Sequence, residues 1–276
     1  VQIPSKRLND GNHIPIIGLG TYGLLGEEGI VSILRALDSG YRLIDTAVNY
    51  QNEFEVGEGF RRSGLPRDEF CVATKLPGRH HGYEETLSSF EESRRNLGLE
   101  YLDIYLIHWP MPRINKFADS WRAMIRLRDE GLVRSIGVSN FTQGHINRLI
   151  EETNVVPALN QIEMHPQFPQ SVMREFNEAH GIVTESWSPL TRRGPTMNDL
   201  KVHLVARAHG VTPAQAVLRW HLQLGAIPIP KSGDTDRQRE NLDVFSFKLT
   251  EEEIKSISSL ESGRLWGSDP EIVEED

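Results

Sequence analysis

The chain has 276 residues, 38% of them hydrophobic and 25% charged, with a formal net charge of −9 and a single cysteine, Cys71. That apolar content supplies a sizeable core and excludes a disordered chain, while the acidic balance excludes a nucleic-acid partner, which needs a basic face to displace counterions. A lone cysteine excludes an intramolecular disulfide and fits a reducing compartment.

The opening VQIPSKRLNDG lacks an apolar signal core, and no apolar run reaches the roughly 20 residues of a membrane span. The expectation is a soluble, cytoplasmic protein. Asp10-Gly11, between KRLN and NHIPII, marks a tight turn and predicts an N-terminal β-hairpin. Eight β-rich runs follow: IPIIGLG (14–20), YRLIDTA (41–47), FCVATK (70–75), LDIYLIHW (102–109), RSIGVSN (134–140), ALNQIEM (158–164), IVTESWS (182–188) and AIPIPKS (226–232). The segments between them carry apolar residues at helical spacing. Leu87, Phe90, Arg94 and Leu97 share a face, Thr212-Pro213 reads as N-cap and N1, and Thr250 with Glu253 forms a capping box. Cys71 within FCVATK reads as a small apolar packing residue.

Eight strand–helix units without a linker predict one domain over residues 1–276, an α/β (β/α)₈ TIM barrel preceded by the hairpin. In such barrels the chemistry sits at the C-terminal strand ends. Here those ends are Asp45, Lys75, His108, Asn140, Glu163, Ser188 and Lys231, a polar set on apolar runs. A rival reading takes GLGTYG (18–23) as a dinucleotide-binding turn with Asp45 on the ribose. It is weakened because helical spacing resumes only near Glu27, no Tyr-x-x-x-Lys pair occurs, and no second substrate domain follows. Gly18 and Gly20 instead suit close packing at the first strand end.

Asp45, Tyr50, Lys75 and His108 come from the ends of consecutive strands or just beyond, so a barrel brings them to one mouth. A phenol with a reference pKa near 10 serves as a general acid when something stabilises its phenolate. Lys75 is suited to lower the Tyr50 pKa, Asp45 to keep Lys75 charged and in place, and His108 to polarise and orient a carbonyl oxygen. Singly, the four read better as a helix cap, a packing ring, a surface charge and a core histidine. Their arrangement at neighbouring strand ends favours chemistry.

Through DTAVNY, ATKL, LIHWP, GVSNF, NQIE, SWSPL and IPKS with REN, spread over nearly the whole chain, the sequence resembles the aldo-keto reductase family, and in detail its bacterial 2,5-diketo-D-gluconate reductase-like branch. The resemblance implies NADP(H)-dependent reduction of aldehydes or ketones to alcohols, with dicarbonyls or keto sugars as the substrate guess. Tyr50 would donate the proton, assisted by Lys75 and Asp45, with His108 orienting the carbonyl. It implies Ser139, Asn140 and Gln161 at the nicotinamide amide, Trp187 stacked on the ring, and Ser188 to Leu190 near the pyrophosphate. Lys231, Ser232 and Arg237 would meet the 2′-phosphate, and Glu240 and Asn241 the adenine, although Asp234 and Asp236 add negative charge to the same loop. Thr191-Arg192-Arg193 departs from the glycine-rich pattern often seen there, and its arginines are candidate phosphate contacts.

Tyr22, Asn49, His108 and Trp109 would line the substrate pocket, with Leu265-Trp266 closing over it. The acidic run DPEIVEED reads as a solvated end. His80-His81 reads as an exposed loop pair lacking further ligands, so no metal is expected. A monomer is expected by analogy with the family. The alternative function is an NADPH-binding redox-sensing or regulatory barrel with slow turnover.

Overall fold

The computed structural model describes residues 3–191 and 195–275. In chain order its elements are β1 (Ser5–Arg7), β2 (His13–Pro15), β3 (Leu19–Gly20), α1 (Gly26–Ser39), β4 (Leu43–Asp45), α2 (Glu53–Ser63), β5 (Cys71–Leu76), α3 (Tyr83–Leu97), β6 (Leu102–Ile107) and α4 (Phe117–Asp129). There follow β7 (Val133–Ser139), α5 (Gln143–Thr153), β8 (Leu159–Glu163), α6 (Ser171–Ala179), β9 (Val183–Trp187), α7 (Leu200–His209), α8 (Pro213–Gln223), β10 (Ile227–Pro228), α9 (Thr235–Leu242) and α10 (Glu251–Ser258).

β1 and β2 pair antiparallel around Gly11, whose φ of 92° is open to glycine without strain. Strands β3 to β10 form one parallel sheet in sequential order. The sheet closes on itself: Gly20 bridges Lys231 in parallel, and the Gly18 and Gly20 amides donate to the Pro228 and Pro230 carbonyls at 3.1 and 3.0 Å. The fold is the expected (β/α)₈ barrel, and the hairpin is present.

Two of the eight runs are shorter as strands than their sequences suggest. IPIIGLG is split, with Ile14 and Pro15 in β2 and only Leu19-Gly20 in β3. AIPIPKS keeps two strand residues because Pro228 and Pro230 have no N–H to donate. Gly18 and Gly20 serve closeness at this seam. A Cβ on Gly18 would lie 2.8 Å from both Ile229 Cδ1 and Leu43 Cγ, and one on Gly20 would lie 3.2 Å from the Ile229 carbonyl oxygen. No helix opens at these glycines; α1 begins at Gly26.

Strand alternation sorts the side chains into two cores. Leu43, Ala73, Ile104, Leu106, Leu159, Val183, Ile227 and Ile229 fill the barrel interior, plugged from below by Leu8 and Ile14 of the hairpin region. Their alternates, such as Ile44, Val72, Tyr105, Val138 and Ile162, meet the helices in the larger outer core. In α1, Ile30, Ile33, Ala36 and Leu37 recur at helical spacing and are buried, each of the larger ones stabilising by roughly 1.5–3 kcal/mol. In α3, Phe90 and Leu97 are buried whereas Leu87 and Arg94 are only half-buried. The Thr212 and Thr250 capping boxes both form.

Candidate active site

Period-two alternation aims Asp45, Lys75, Gln161 and Glu185 along the barrel axis, directly above the apolar plug. Lys75 Nζ donates to Asp45 Oδ1 at 2.7 Å and to the Thr46 carbonyl at 2.8 Å, and the lysine is fully buried. Across the barrel, Gln161 Nε2 donates to Asp45 Oδ2 at 2.8 Å and to Glu185 Oε2 at 3.0 Å. Burial opposes the Lys75 charge, but Asp45 and its neighbours outweigh it, so its pKa lies above the ordinary lysine value. Burial and the nearby Asp45 charge push Glu185 up to about 8, which leaves it the protonated member of this group at neutral pH.

Tyr50 rides on a short 3₁₀ turn, Val48–Tyr50, just past β4. The buried Asn52 clamps that turn: its Oδ1 accepts from the Thr46 hydroxyl at 2.7 Å, and its Nδ2 donates to the Thr21 and Leu24 carbonyls at 2.8 and 3.1 Å. The Lys75 ammonium then lies 5.0 Å from the Tyr50 ring centroid, and the His108 ring stands edge-on to Tyr50 at 6.0 Å. Tyr22, 57% exposed, packs edge-on against the other side of Tyr50 at 5.3 Å. One expectation needs correction: the phenol is raised above its ordinary pKa, not lowered. Burial is the larger effect and Lys75 offsets only part of it.

Above the buried Asp45 and Lys75 opens a cleft of about 680 Å³ whose lining includes Tyr22, Tyr50, His108, Trp109, Gln161, Trp187 and Trp266. A polar seam runs along one wall. Ser139 Oγ donates to the Gln161 carbonyl at 3.0 Å, Asn140 Nδ2 to the His108 carbonyl at 3.0 Å, and Trp187 Nε1 to Asn140 Oδ1 at 2.7 Å. Asn140, at φ 62°, thereby fixes both the indole and the His108 backbone. Ser188, Leu190 and Lys231 line the opposite stretch of the cleft. Ser188 and Thr191 have φ of 51° and 46°, and the buried Thr191 hydroxyl, also on the lining, has no hydrogen-bond partner among the described residues. Arg192 and Arg193 lie outside the described residues.

Around α9, Lys231 and Arg237 are exposed, Ser232 is buried, and Asp234 caps the helix through the Arg237 amide at 2.9 Å. Glu240 accepts from the Thr212 hydroxyl at 2.7 Å, and the buried Asn241 pairs with the Tyr41 hydroxyl. Asn49 accepts from Arg79 through its Oδ1 and is not among the residues that line the cleft.

Several features were not anticipated. Within DPEIVEED, Glu271 and Ile272 are exposed but Glu275 is not solvated: its Oε1 sits 2.6 Å from His108 Nδ1 with each side chain 12% exposed, and the Gly78 amide donates to Glu275 Oε2 at 2.8 Å. His81 is buried rather than exposed, has no hydrogen-bond partner for either ring nitrogen among the described residues, and is pushed down to about 4 by burial. His80 is half-buried with Nδ1 2.9 Å from Ser89 Oγ. Glu185 had a readable signal, a carboxylate in the middle of the strand run IVTESWS. Glu275 had none, since its partners are far away in sequence. Cys71 is half-buried on β5, and burial raises its thiol well above the ordinary range, as suits a packing role.

The closed (β/α)₈ barrel thus carries a buried ammonium–carboxylate pair beneath a tyrosine at its C-terminal mouth. The model of the Aldo/keto reductase family matches residues 16–262, and the chain belongs to that family. It is 55% identical over 273 residues to 2,5-diketo-D-gluconic acid reductase B of a Corynebacterium species, covering 99% of both chains. It is 44% identical to methylglyoxal reductase DkgA of Escherichia coli, covering 96% of both. Among solved structures, an aldo/keto reductase from Brucella melitensis superposes with a TM-score of 0.91 at 45% identity, covering 94% of this chain and 100% of that one. A Gox0644 variant crystallised with NADPH gives 0.94 at 42% identity, covering 99% and 100%.

Proposed function

We propose that this chain reduces aldehydes and ketones, among them small dicarbonyls and keto sugars, to alcohols with NADPH, and that Tyr50 is the proton donor. The observation that carries the reading is that Tyr50 and His108 line one cleft side by side with the buried Lys75–Asp45 pair next to the Tyr50 ring. The relatives named for diketogluconate and methylglyoxal reduction support the substrate class.

The cleft fits a dinucleotide. It is roomy, has the flat Trp187 indole on its wall, and presents at Thr191 a buried hydroxyl without a partner among the described residues, beside left-handed backbone. Trp187 would stack on the nicotinamide, Ser139, Asn140 and Gln161 would meet its amide, and Ser188 to Leu190 would lie along the pyrophosphate. Lys231, Ser232 and Arg237 suit a 2′-phosphate dianion, with Glu240 and Asn241 near the adenine. When bound, the nicotinamide supplies the hydride to the carbonyl carbon.

The chain's own residues do the rest. Tyr50, with its pKa raised by burial, is protonated at neutral pH, as an acid must be before it acts. As its proton passes to the carbonyl oxygen, the nearby Lys75 ammonium stabilises the phenolate left behind. Asp45 holds the ammonium in place, and His108 orients the carbonyl from the other side. A panel of neutral aldehydes, dicarbonyls and keto sugars tests this by NADPH consumption. Tyr50→Phe is expected to lower kcat by about 10²–10⁴-fold while NADPH still binds. Full turnover by Tyr50→Phe overturns the proton-donor role.

A further inference from the structure

The segment after α10 is strapped across the barrel mouth. The Ser262 and Gly263 amides donate to the Gln167 carbonyl at 2.8 Å, and the Leu265 amide donates to Glu163 Oε1 at 2.8 Å. Farther along, Glu271 accepts from the Thr142 hydroxyl at 2.7 Å, Glu274 from the Arg113 amide at 2.9 Å, and the Glu275 amide reaches Met111 Sδ at 3.1 Å. These anchors stand on the loops after β6, β7 and β8, and Gly78 after β5 completes the series through Glu275 Oε2. The strap thus delivers one carboxylate, held from two sides, to His108 Nδ1 at 2.6 Å.

We propose that Glu275 is a positioning residue for His108: its carboxylate fixes the imidazole plane and keeps a proton on Nδ1, turning the opposite ring edge to the carbonyl. Nδ1 is shut off from solvent while His108 lines the cleft, so the edge bearing Nε2 is the one that faces it. The approach is short but falls outside the alignment of a hydrogen bond. In a neutral ring, a proton on Nδ1 leaves Nε2 an acceptor. Nε2 donates to a carbonyl oxygen only in the ring that carries a proton on both nitrogens, and that hydrogen bond is charge-assisted.

Among the described residues, the other charged and titratable groups around this pair are few. Tyr50 faces His108 from the turn after β4, with Lys75 behind it on β5, and the buried His81 lies within electrostatic reach of Glu275. Arg79 approaches through Asn49, whose side chain also bonds Glu275. Glu275 itself is held below the ordinary carboxylate range, with His108 the largest favourable cause against the opposing effect of burial.

The inference rests on reading the cleft as a carbonyl-reducing site, and two readouts on the full chain separate them. In Glu275→Gln the ¹⁵N signals of the His108 ring are expected to move from those of a protonated Nδ1 toward the other tautomer, and kcat to fall on the order of tenfold, as for other histidine partners. Glu275→Asp, which keeps the charge but withdraws it by one methylene, is expected to lie between. Ring signals and kcat in Glu275→Gln equal to the wild type overturn the inference. Ring signals that move as expected, in a chain whose wild type reduces no carbonyl, uphold the Glu275–His108 pairing and overturn the reading of the cleft.

Discussion

Asp45 and Lys75 stand on adjacent strands with Oδ1 and Nζ 2.7 Å apart, and neither side chain is more than 4% exposed. A pair this dry is asymmetric in its energetics: desolvation of both charges offsets much of their attraction, but removal of one partner strands the other.

Asp45→Asn leaves the buried ammonium uncompensated and is expected to destabilise the fold by about 3–5 kcal/mol, read from denaturant midpoints. Gln161 loses a charged acceptor in the same step. Stability within about 0.5 kcal/mol of the wild type would show that Lys75 simply deprotonates in response.

Glu185 sets a pH dependence. Its folded pKa, about 8, is above its unfolded value, so the stability it contributes is fully present below the unfolded pKa and lost as pH rises through the folded one. Glu185→Gln, which cannot ionise, is expected to gain on the wild type between about pH 5 and pH 8, by on the order of 1–3 kcal/mol at the upper end. Thermal melts across that range check it; parallel curves for the two proteins contradict it.

Gly18→Ala pushes a methyl group to 2.8 Å from both Ile229 and Leu43 at the barrel closure. The expected loss is about 1–3 kcal/mol, measured by urea denaturation. A neutral result would mean that Ile229 finds another rotamer at no loss.

Arg237 stands exposed in the first turn of α9, near Lys231 and Ser232. Arg237→Ala is expected to raise the KM for NADPH on the order of tenfold while sparing NADH, because only the former carries the extra phosphate. An equal effect on both cofactors would move that phosphate elsewhere.

Much of this was legible because strands report their own geometry. FCVATK has Cys71, Ala73 and Lys75 on one face, so the lysine's inward aim follows from two small residues before it. YRLIDTA and ALNQIEM place Asp45 and Gln161 in the same way. Glu185 escaped a search confined to strand ends because it lies two residues below the end of β9. The partners of Glu275, at Gly78, His108 and Met111, are more than 160 residues away in sequence. A run of acids looks solvated unless the surface that receives it is known. The Tyr50 shift was misjudged in sign because Lys75 is visible in the sequence and the dryness of the site is not.

The inward face of the barrel makes odd and even positions chemically inequivalent. Asp45, Lys75, Gln161 and Glu185 are all odd, as are Leu43, Ala73, Leu159 and Val183 beneath them. One residue added between Cys71 and Lys75 would deliver Thr74 to the place of the ammonium and send Lys75 past it. Parity therefore confines tolerated changes in length to the loops, and the chemistry stays aimed at the axis only while each stave keeps its count.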